Sequence, residues 1–226
     1  MIITGDALKE IQEVRKYLSS RFEMKDLEEL KKFLGLEVER STRGLFVCQI
    51  RYARDLLKKY GMQNCKPIDS RMEVRHMLHA EEGDELEDAR LYRQLVGSLI
   101  YLTITRPDIA YAVGVVSQFM QKARKPHLEA VRRIVRYVRH TVEYGILYEA
   151  GVQHEILGFT DVDWAGDSST RRSKSGYTFS LGLGAISWCR KKQPIVALSS
   201  IEARYRATTM EAQKCTWLRQ LVQDLG

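Results

Sequence analysis

The stretch that decides the fold is LYRQLVGSLIYLTIT (Leu91–Thr105) followed by PDIAYAVGVVSQFM (Pro107–Met120), two apolar segments separated by one arginine. Apolar residues recur in both segments at the spacing of a helix. Proline is tolerated in the first turn of a helix, so Pro107 can open the second one, which continues to about Lys122. Pro126 opens a third segment that runs to about Thr141. The sequence therefore predicts three consecutive helices.

Two strands and a helix are predicted upstream of these helices. The segment FLGLEVERSTRGLFVCQ (33–49) places apolar residues on both sides of a polar STRG turn, which is typical of a pair of short strands. From Ile50 to Tyr60 the apolar side chains fall on one side of a helix, and Gly61 follows as its C-cap. A further amphipathic helix is predicted over residues 7–22.

Downstream the pattern changes to short apolar runs that are typical of strands. They are EILGFTD (155–161), SGYTFSLG (175–182), AISWC (185–189) and PIVAL (194–198). A last helix begins at Ser199, because Glu202 three positions later completes a capping box. The order of elements indicates an α+β protein.

The segment between Lys66 and Ala89 is polar, and residues 81–88 contain six carboxylates and almost no apolar side chain. A charge run of this kind is more often a solvated linker than a binding site. We therefore predict an acidic linker over residues 66–90.

Composition narrows the class of protein. The 36 Lys and Arg residues exceed the 29 Asp and Glu residues, and the net charge of +7 permits nucleic-acid binding without requiring it. No apolar run approaches the roughly 18 residues of a membrane span, and the first residues do not resemble a signal peptide. The four cysteines form no CxxC pair, which disfavours a structural zinc and indicates a reducing compartment. We expect an intracellular protein, cytoplasmic or nuclear and not secreted, with no membrane partner and no evident small-molecule substrate.

Seven motifs in collinear order resemble the Pol polyprotein of copia-type LTR retrotransposons, and together they cover essentially the whole chain. They are MKDLEELKKFLGLEV (24–38), QIRYARDLLKKYGMQNCKP (49–67), YRQLVGSLIYLTITRPDIAYAVGVVSQFM (92–120), GFTDVDWAGD (158–167), RRSKSGYTFSLG (171–182), ISWCRKKQPIVALSS (186–200) and EARY (202–205).

The resemblance implies a domain order. Residues 1–65 match the end of a reverse transcriptase palm, its primer-holding strands and the start of the thumb. After the acidic linker, residues 91–150 match a helical thumb and connection. Residues 151–226 match the N-terminal part of a ribonuclease H-like domain, which is incomplete. The predicted fold class is therefore α+β, with a helical thumb and connection followed by an incomplete ribonuclease H-like mixed β-sheet and a C-terminal helix.

The resemblance also implies an RNA-directed DNA polymerase and an RNA–DNA hybrid ribonuclease that use Mg²⁺. The family's Tyr-Val-Asp-Asp polymerase motif precedes the residues that match MIITG, so we expect no polymerase aspartates here. Among the nuclease carboxylates, Asp161 matches the first, Arg204 stands where the family has Glu, and the others belong to segments beyond Gly226. A guanidinium stays charged and accepts no hydrogen bond. We expect no functional metal site, no cofactor and no catalysis.

Two basic clusters are candidate nucleic-acid contacts. Arg132, Arg136 and Arg139 share one face of the third predicted helix, with Arg133 beside them. Such a stripe can follow a phosphate backbone without reading its sequence, but a solvated helix face has the same pattern.

The second cluster is Arg171, Arg172 and Lys174, together with the basic run 190–192. If the predicted sheet forms, these residues could meet one backbone groove, although charged turns also serve solubility alone. The expected partner is an RNA–DNA hybrid or another nucleic-acid duplex. Two functions remain open, a catalytically inactive polyprotein remnant and a domesticated or accessory nucleic-acid-binding module.

Overall fold

A computed structural model describes residues 3, 5, 7–23, 30–73, 78–152, 155–167 and 170–225. The described elements, in chain order, are α1 (Leu8–Arg21), β1 (Lys32–Phe33), β2 (Leu36–Ser41), β3 (Gly44–Cys48), α2 (Ile50–Lys59), α3 (Arg90–Leu102), α4 (Pro107–Ser117), α5 (Lys125–His140), β4 (Gly145–Glu149), β5 (Ile156–Asp163), β6 (Lys174–Leu181), β7 (Gly184–Lys192) and α6 (Ser200–Leu225). The predicted α+β class is confirmed.

Helices α2 to α5 form the main hydrophobic core. Their apolar faces bury side chains completely, among them Leu99, Val116 and Ile134. Complete burial of such a side chain contributes about 1.5–3 kcal/mol to the stability of this helical unit. The buried Tyr92 hydroxyl donates a hydrogen bond of 2.5 Å to the Val116 carbonyl, so its polar end is satisfied. The three helices predicted downstream of Leu91 are confirmed.

The first sheet has the strand order β1-β2-β3-β4, and all of its pairs are antiparallel. The predicted β2–β3 hairpin is confirmed. Strand β4 is a difference from the sequence analysis, which assigns residues 91–150 to helices. The helical part ends at His140, and α5 returns the chain to β3, so Gly145 pairs with Cys48. A Cβ on Gly145 would lie 2.6 Å from the Val47 carbonyl oxygen, and only glycine allows this close pairing.

The second sheet is the antiparallel meander β5-β6-β7. The predicted mixed sheet is wrong for the described residues, because short connections join consecutive strands and a parallel pair needs a longer crossover. The predicted PIVAL strand is also absent. Pro194 cannot donate to a strand ladder, and the apolar Leu198 of this segment is 91% exposed.

Helices contact both faces of the second sheet. On one face, α6 buries Ala203 and Ala207. On the other, Tyr111 of α4 lies under the Arg190 guanidinium of β7, which is 3.8 Å from the ring centroid. Half of the predicted capping box of α6 is present, since the Glu202 amide donates to the Ser199 hydroxyl over 3.1 Å. The Glu202 carboxylate accepts from the Leu198 amide over 2.8 Å rather than from the Ser199 amide.

Helix α1 stands apart, because none of its residues is buried among the described part of the chain. Residues 24–29 of the motif MKDLEELKKFLGLEV lie outside the described residues. Of the helices that the structure describes, including the 26-residue α6, none combines the length and apolar character that a bilayer crossing requires.

Candidate nucleic-acid interface

The basic face of α5 contacts the chain's own segment 63–73. The Arg133 guanidinium is 3.1 Å from the Glu73 carboxylate and donates to the Ser70 hydroxyl over 2.8 Å. The Arg136 Nε donates to the Lys66 carbonyl over 2.7 Å, and the Arg139 Nε donates to the Gln63 carbonyl. These three arginines therefore hold segment 63–73, which follows α2 and includes the start of the acidic linker.

Arg132 is the exception on α5. Its side chain is 49% exposed, and its only ion pair among the described residues is with Glu129, at 3.4 Å and one turn away on the same helix. A surface pair of this kind contributes little and does not hold the guanidinium in place. Of the four arginines predicted on α5, Arg132 is the one whose guanidinium is directed to solvent rather than to segment 63–73.

The acidic linker is docked at the N-terminus of α5. Asp84 accepts from the Lys125 ammonium over 2.7 Å, and this hydrogen bond lowers the pKa of the Asp84 carboxyl. The Arg124 guanidinium donates to the carbonyls of Ala80 and Gly83. The Asp84 carboxylate and the Lys125 ammonium therefore neutralise one another, and both side chains remain exposed.

A buried histidine completes this junction. His127 is fully buried and stacked on Phe119, with ring centroids 3.9 Å apart. Its Nδ1 accepts from the Arg124 amide over 3.0 Å, and its Nε2 is 2.9 Å from the His79 carbonyl, so Nε2 carries the proton. Burial lowers the pKa of His127, and the nearby Arg124 charge acts in the same direction.

The second basic cluster lies at the start of β6 and the end of β7. The sheet register pairs Lys174 with Lys192 and Ser175 with Lys191, so the two basic runs are side by side. This juxtaposition is the one expected from the sequence. It concentrates positive charge at one end of the second sheet, where no element of the helical core covers the side chains of Arg171 and Arg172, which are exposed.

The loop before β6 is fixed by Asp167. This residue is 7% exposed, and its carboxylate is 2.6 Å from the Lys192 ammonium. Its backbone amide donates to the Arg172 carbonyl, and the Arg171 amide donates to the Asp167 carbonyl. The Lys174 ammonium donates to the Gly166 carbonyl over 3.1 Å, so Lys174 supports the loop. Arg171 and Arg172 are therefore presented to solvent on a fixed backbone.

The two positions that the resemblance assigns to a nuclease, Asp161 and Arg204, lie on different elements, β5 and α6. Asp161 is exposed on β5 and lies three residues from Gly158, whose Cβ position faces Glu211 of α6 at 2.7 Å. Because strand side chains alternate, Asp161 is on the face opposite to α6. Arg204 is exposed on α6.

Asp163 shares the face of Asp161 and is 3.8 Å from the Arg190 guanidinium. Among the described residues no group of three or more His, Cys, Asp or Glu side chains could hold a metal ion. Asp161 and Asp163 supply only two carboxylates on this face, and one of them lies beside a guanidinium, which does not fit Mg²⁺ because this ion prefers several oxygen ligands.

Sequence comparisons show what the chain is related to. The family described as reverse transcriptase (RNA-dependent DNA polymerase) matches residues 1–74. Over its full length the chain is 41% identical to the retrovirus-related Pol polyprotein from transposon RE1 of Arabidopsis thaliana, of which it covers 15%. It is 38% identical to the corresponding polyprotein from transposon TNT 1-94 of Nicotiana tabacum, of which it covers 18%.

A shorter relative has nearly the same extent as this chain. An uncharacterized mitochondrial protein of Arabidopsis thaliana is 37% identical over 217 residues, which are 96% of this chain and 90% of that protein. No solved structure gives a significant match.

These matches first identify the class, a reverse transcriptase-derived protein. The chain belongs to the family of copia-type retrotransposon Pol polyproteins, and its residues 1–74 match the reverse transcriptase. It spans less than a fifth of the length of the Pol polyproteins that it matches, between 15% and 18%.

Proposed function

We propose that this chain is a nucleic-acid-binding segment of a copia-type Pol polyprotein and has no catalytic activity of its own. The observation that carries the proposal is the basic end of the second sheet, where Arg171 and Arg172 are exposed beside Lys191. The reverse transcriptase family supports nucleic acid as the partner. We further propose that residues 151–226 derive from a ribonuclease H-like domain, as the motifs 158–167 and 202–205 imply.

We assign two activities to the parent polyprotein and not to this chain. They are RNA-directed DNA synthesis and hydrolysis of the RNA strand of a hybrid. The absence of catalysis is supported by Arg204, which stands where the family has a carboxylate, and by the position of Asp161 on the other side of the sheet from α6. An intracellular location is also proposed, because all four cysteines are free thiols.

A cleavage assay tests the lack of catalysis. We expect no Mg²⁺-dependent cutting of a labelled RNA–DNA hybrid by the natural chain or by Arg204→Glu. The variant does not restore activity because the new carboxylate and Asp161 lie on opposite sides of β5. Cleavage by either protein above a mock-purified control would contradict the proposal.

A binding assay tests the positive part. We expect fluorescence anisotropy of a labelled hybrid to show micromolar affinity that falls steeply with salt, because released counterions drive phosphate binding. The double variant Arg171→Ala/Arg172→Ala is expected to bind more weakly, while Arg93→Ala on α3 serves as a control for loss of an exposed arginine. If the folded protein does not bind the hybrid at low salt, the proposal is wrong and the chain is an inactive remnant of the polyprotein.

A further inference from the structure

A cleft of about 490 Å³ lies between the paired ends of β6 and β7 and the second and third turns of α6. Four cationic residues line it, Arg172, Lys191, Lys192 and Arg206, and its lining contains no Asp or Glu. Pro194 and Met210 provide an apolar wall. The size lies within the range of small-ligand sites, about 300–1,000 Å³.

The four cations are not equivalent. The Lys192 ammonium is held by Asp167 at 2.6 Å, and the Arg206 guanidinium is held by Glu202 at 2.9 Å. No carboxylate of the described residues forms an ion pair with Arg172 or Lys191. Lys192 and Arg206 thus already have carboxylate partners, and Arg172 and Lys191 can bind an anion without first breaking an ion pair.

The floor of the cleft is rigid and has one unsatisfied acceptor. Gln193 is 5% exposed, and its Nε2 donates to the Ser175 hydroxyl over 2.8 Å and to the Ala203 carbonyl over 2.9 Å. These bonds join β6, β7 and α6 and fix the amide orientation. Its Oε1 has no hydrogen-bond partner among the described residues. Leaving a buried acceptor unsatisfied is unfavourable, so a ligand hydroxyl that reaches it gains a partner.

These features describe a ligand with an anionic group, an apolar body and a hydroxyl donor. We propose that the cleft binds a single nucleotide unit, with its phosphate between Arg172 and Lys191 and its sugar and base against Pro194 and Met210. Charge-assisted bonds from a guanidinium suit phosphate oxygens, and the sugar hydroxyl is the donor suited to Gln193. The inference rests on the proposed nucleic-acid binding and names the unit that this site takes.

A titration of the full chain with ¹³C-methyl-labelled methionine tests the site directly. The Met210 resonance is assigned with Met210→Leu, and adenosine monophosphate and inorganic phosphate are the two probes. We expect saturable shifts of Met210 with the nucleotide, and binding several-fold tighter than that of phosphate. Equal affinity for both probes would show that the cleft binds anions without recognising the nucleoside. The absence of a Met210 shift would show that the nucleotide does not bind in the cleft. Either result overturns the proposal.

A variant pair separates binding from folding. Arg172→Ala/Lys191→Ala is expected to weaken nucleotide binding roughly tenfold or more, since it removes the two cations that lack an ion pair. Arg93→Ala, which removes an exposed arginine from α3, is expected to leave the affinity unchanged. Because all three residues are exposed, both variants should unfold at the temperature of the natural chain. Unchanged nucleotide affinity in a folded double variant would contradict the proposal.

The experiment also distinguishes this inference from the function on which it rests. If the hybrid binds but the nucleotide leaves Met210 unshifted, the cleft proposal fails and the nucleic-acid-binding function stands. If the nucleotide binds at Met210 but the hybrid does not, the cleft proposal stands and the function fails.

Discussion

The two basic regions of the molecule use the same residue types for different purposes. On α5, three arginines bond to carbonyls, a hydroxyl and a carboxylate of segment 63–73. At the cleft between β7 and α6, Arg172 and Lys191 face solvent and lack an ion pair among the described residues. A stripe of arginines on a helix therefore indicates phosphate binding only when the chain does not itself supply the hydrogen-bond acceptors for their guanidinium groups.

Arg106 is the strongest case of an arginine with a structural purpose in the helical unit. Its side chain is 2% exposed, and it forms two hydrogen bonds with the Asp108 carboxylate, at 2.8 and 2.7 Å. It also donates to the carbonyl and the hydroxyl of Thr141. Burial acts to raise the pKa of Asp108, but the Arg106 hydrogen bonds and charge outweigh it and leave the pKa lowered.

The largest expected effect is therefore that of Arg106→Ala. It leaves Asp108 without its charge partner and Thr141 without donors, so we expect the free energy of unfolding to fall by about 3–5 kcal/mol. Urea denaturation measures it, and Arg132→Ala on the same unit is the control. A loss below about 1 kcal/mol would mean that Arg106 does not connect α4 to the end of α5.

A smaller loss is expected on the basic face of α5. Arg133→Ala removes the bonds to Glu73 and Ser70, and we expect about 1–2 kcal/mol of destabilisation with no change in hybrid affinity. Faster proteolysis within residues 63–73 should accompany it, because this segment loses an anchor. Weaker hybrid binding with unchanged stability would contradict the structural role of Arg133 and indicate that the basic face of α5 binds phosphate.

His127 predicts a pH dependence of the same unit. Its pKa is lowered in the folded state from the usual value near 6.5, so the unfolded chain binds more protons between the two values. The free energy of unfolding should therefore fall as the pH drops below about 6.5, by up to about 1.4 kcal/mol for each unit of pKa difference. Protonated Nδ1 could no longer accept from the Arg124 amide. Urea titrations between pH 5 and 7.5 would show this slope, and its persistence in His127→Gln would assign it to another group.

Much of the fold was predictable because its signals are local. The helices around Tyr92 and Ile109 have strong helical periodicity, Gly61 ends α2 with a positive φ of 66°, and Ser199 with Glu202 caps α6. Strand β4 was not predictable in this way. Its five residues pair with β3 nearly a hundred positions upstream, and only the return of the chain after α5 brings them together.

The candidate site divides along the same line. Lys174 and Lys192 lie side by side because of the register between β6 and β7, and the alternation of apolar and polar residues in the sequence indicates these two strands. The bonds from Arg136 and Arg139 to backbone carbonyls could not be predicted from the sequence. Nothing in the sequence of residues 63–67 indicates that this segment packs against α5. Gln193 was missed for a similar reason, since its role depends on burial between two strands and α6.

The most direct test of the account compares two variants in one hybrid-binding salt series. For Arg172→Ala/Lys191→Ala we predict weaker binding and a salt dependence reduced by about 0.7–0.9 in log–log slope for each phosphate that the variant no longer neutralises. For Arg136→Ala/Arg139→Ala we predict the natural affinity and slope, together with reduced stability. If the α5 variant lost the salt dependence and the cleft variant kept it, the assignment of the two regions would be contradicted.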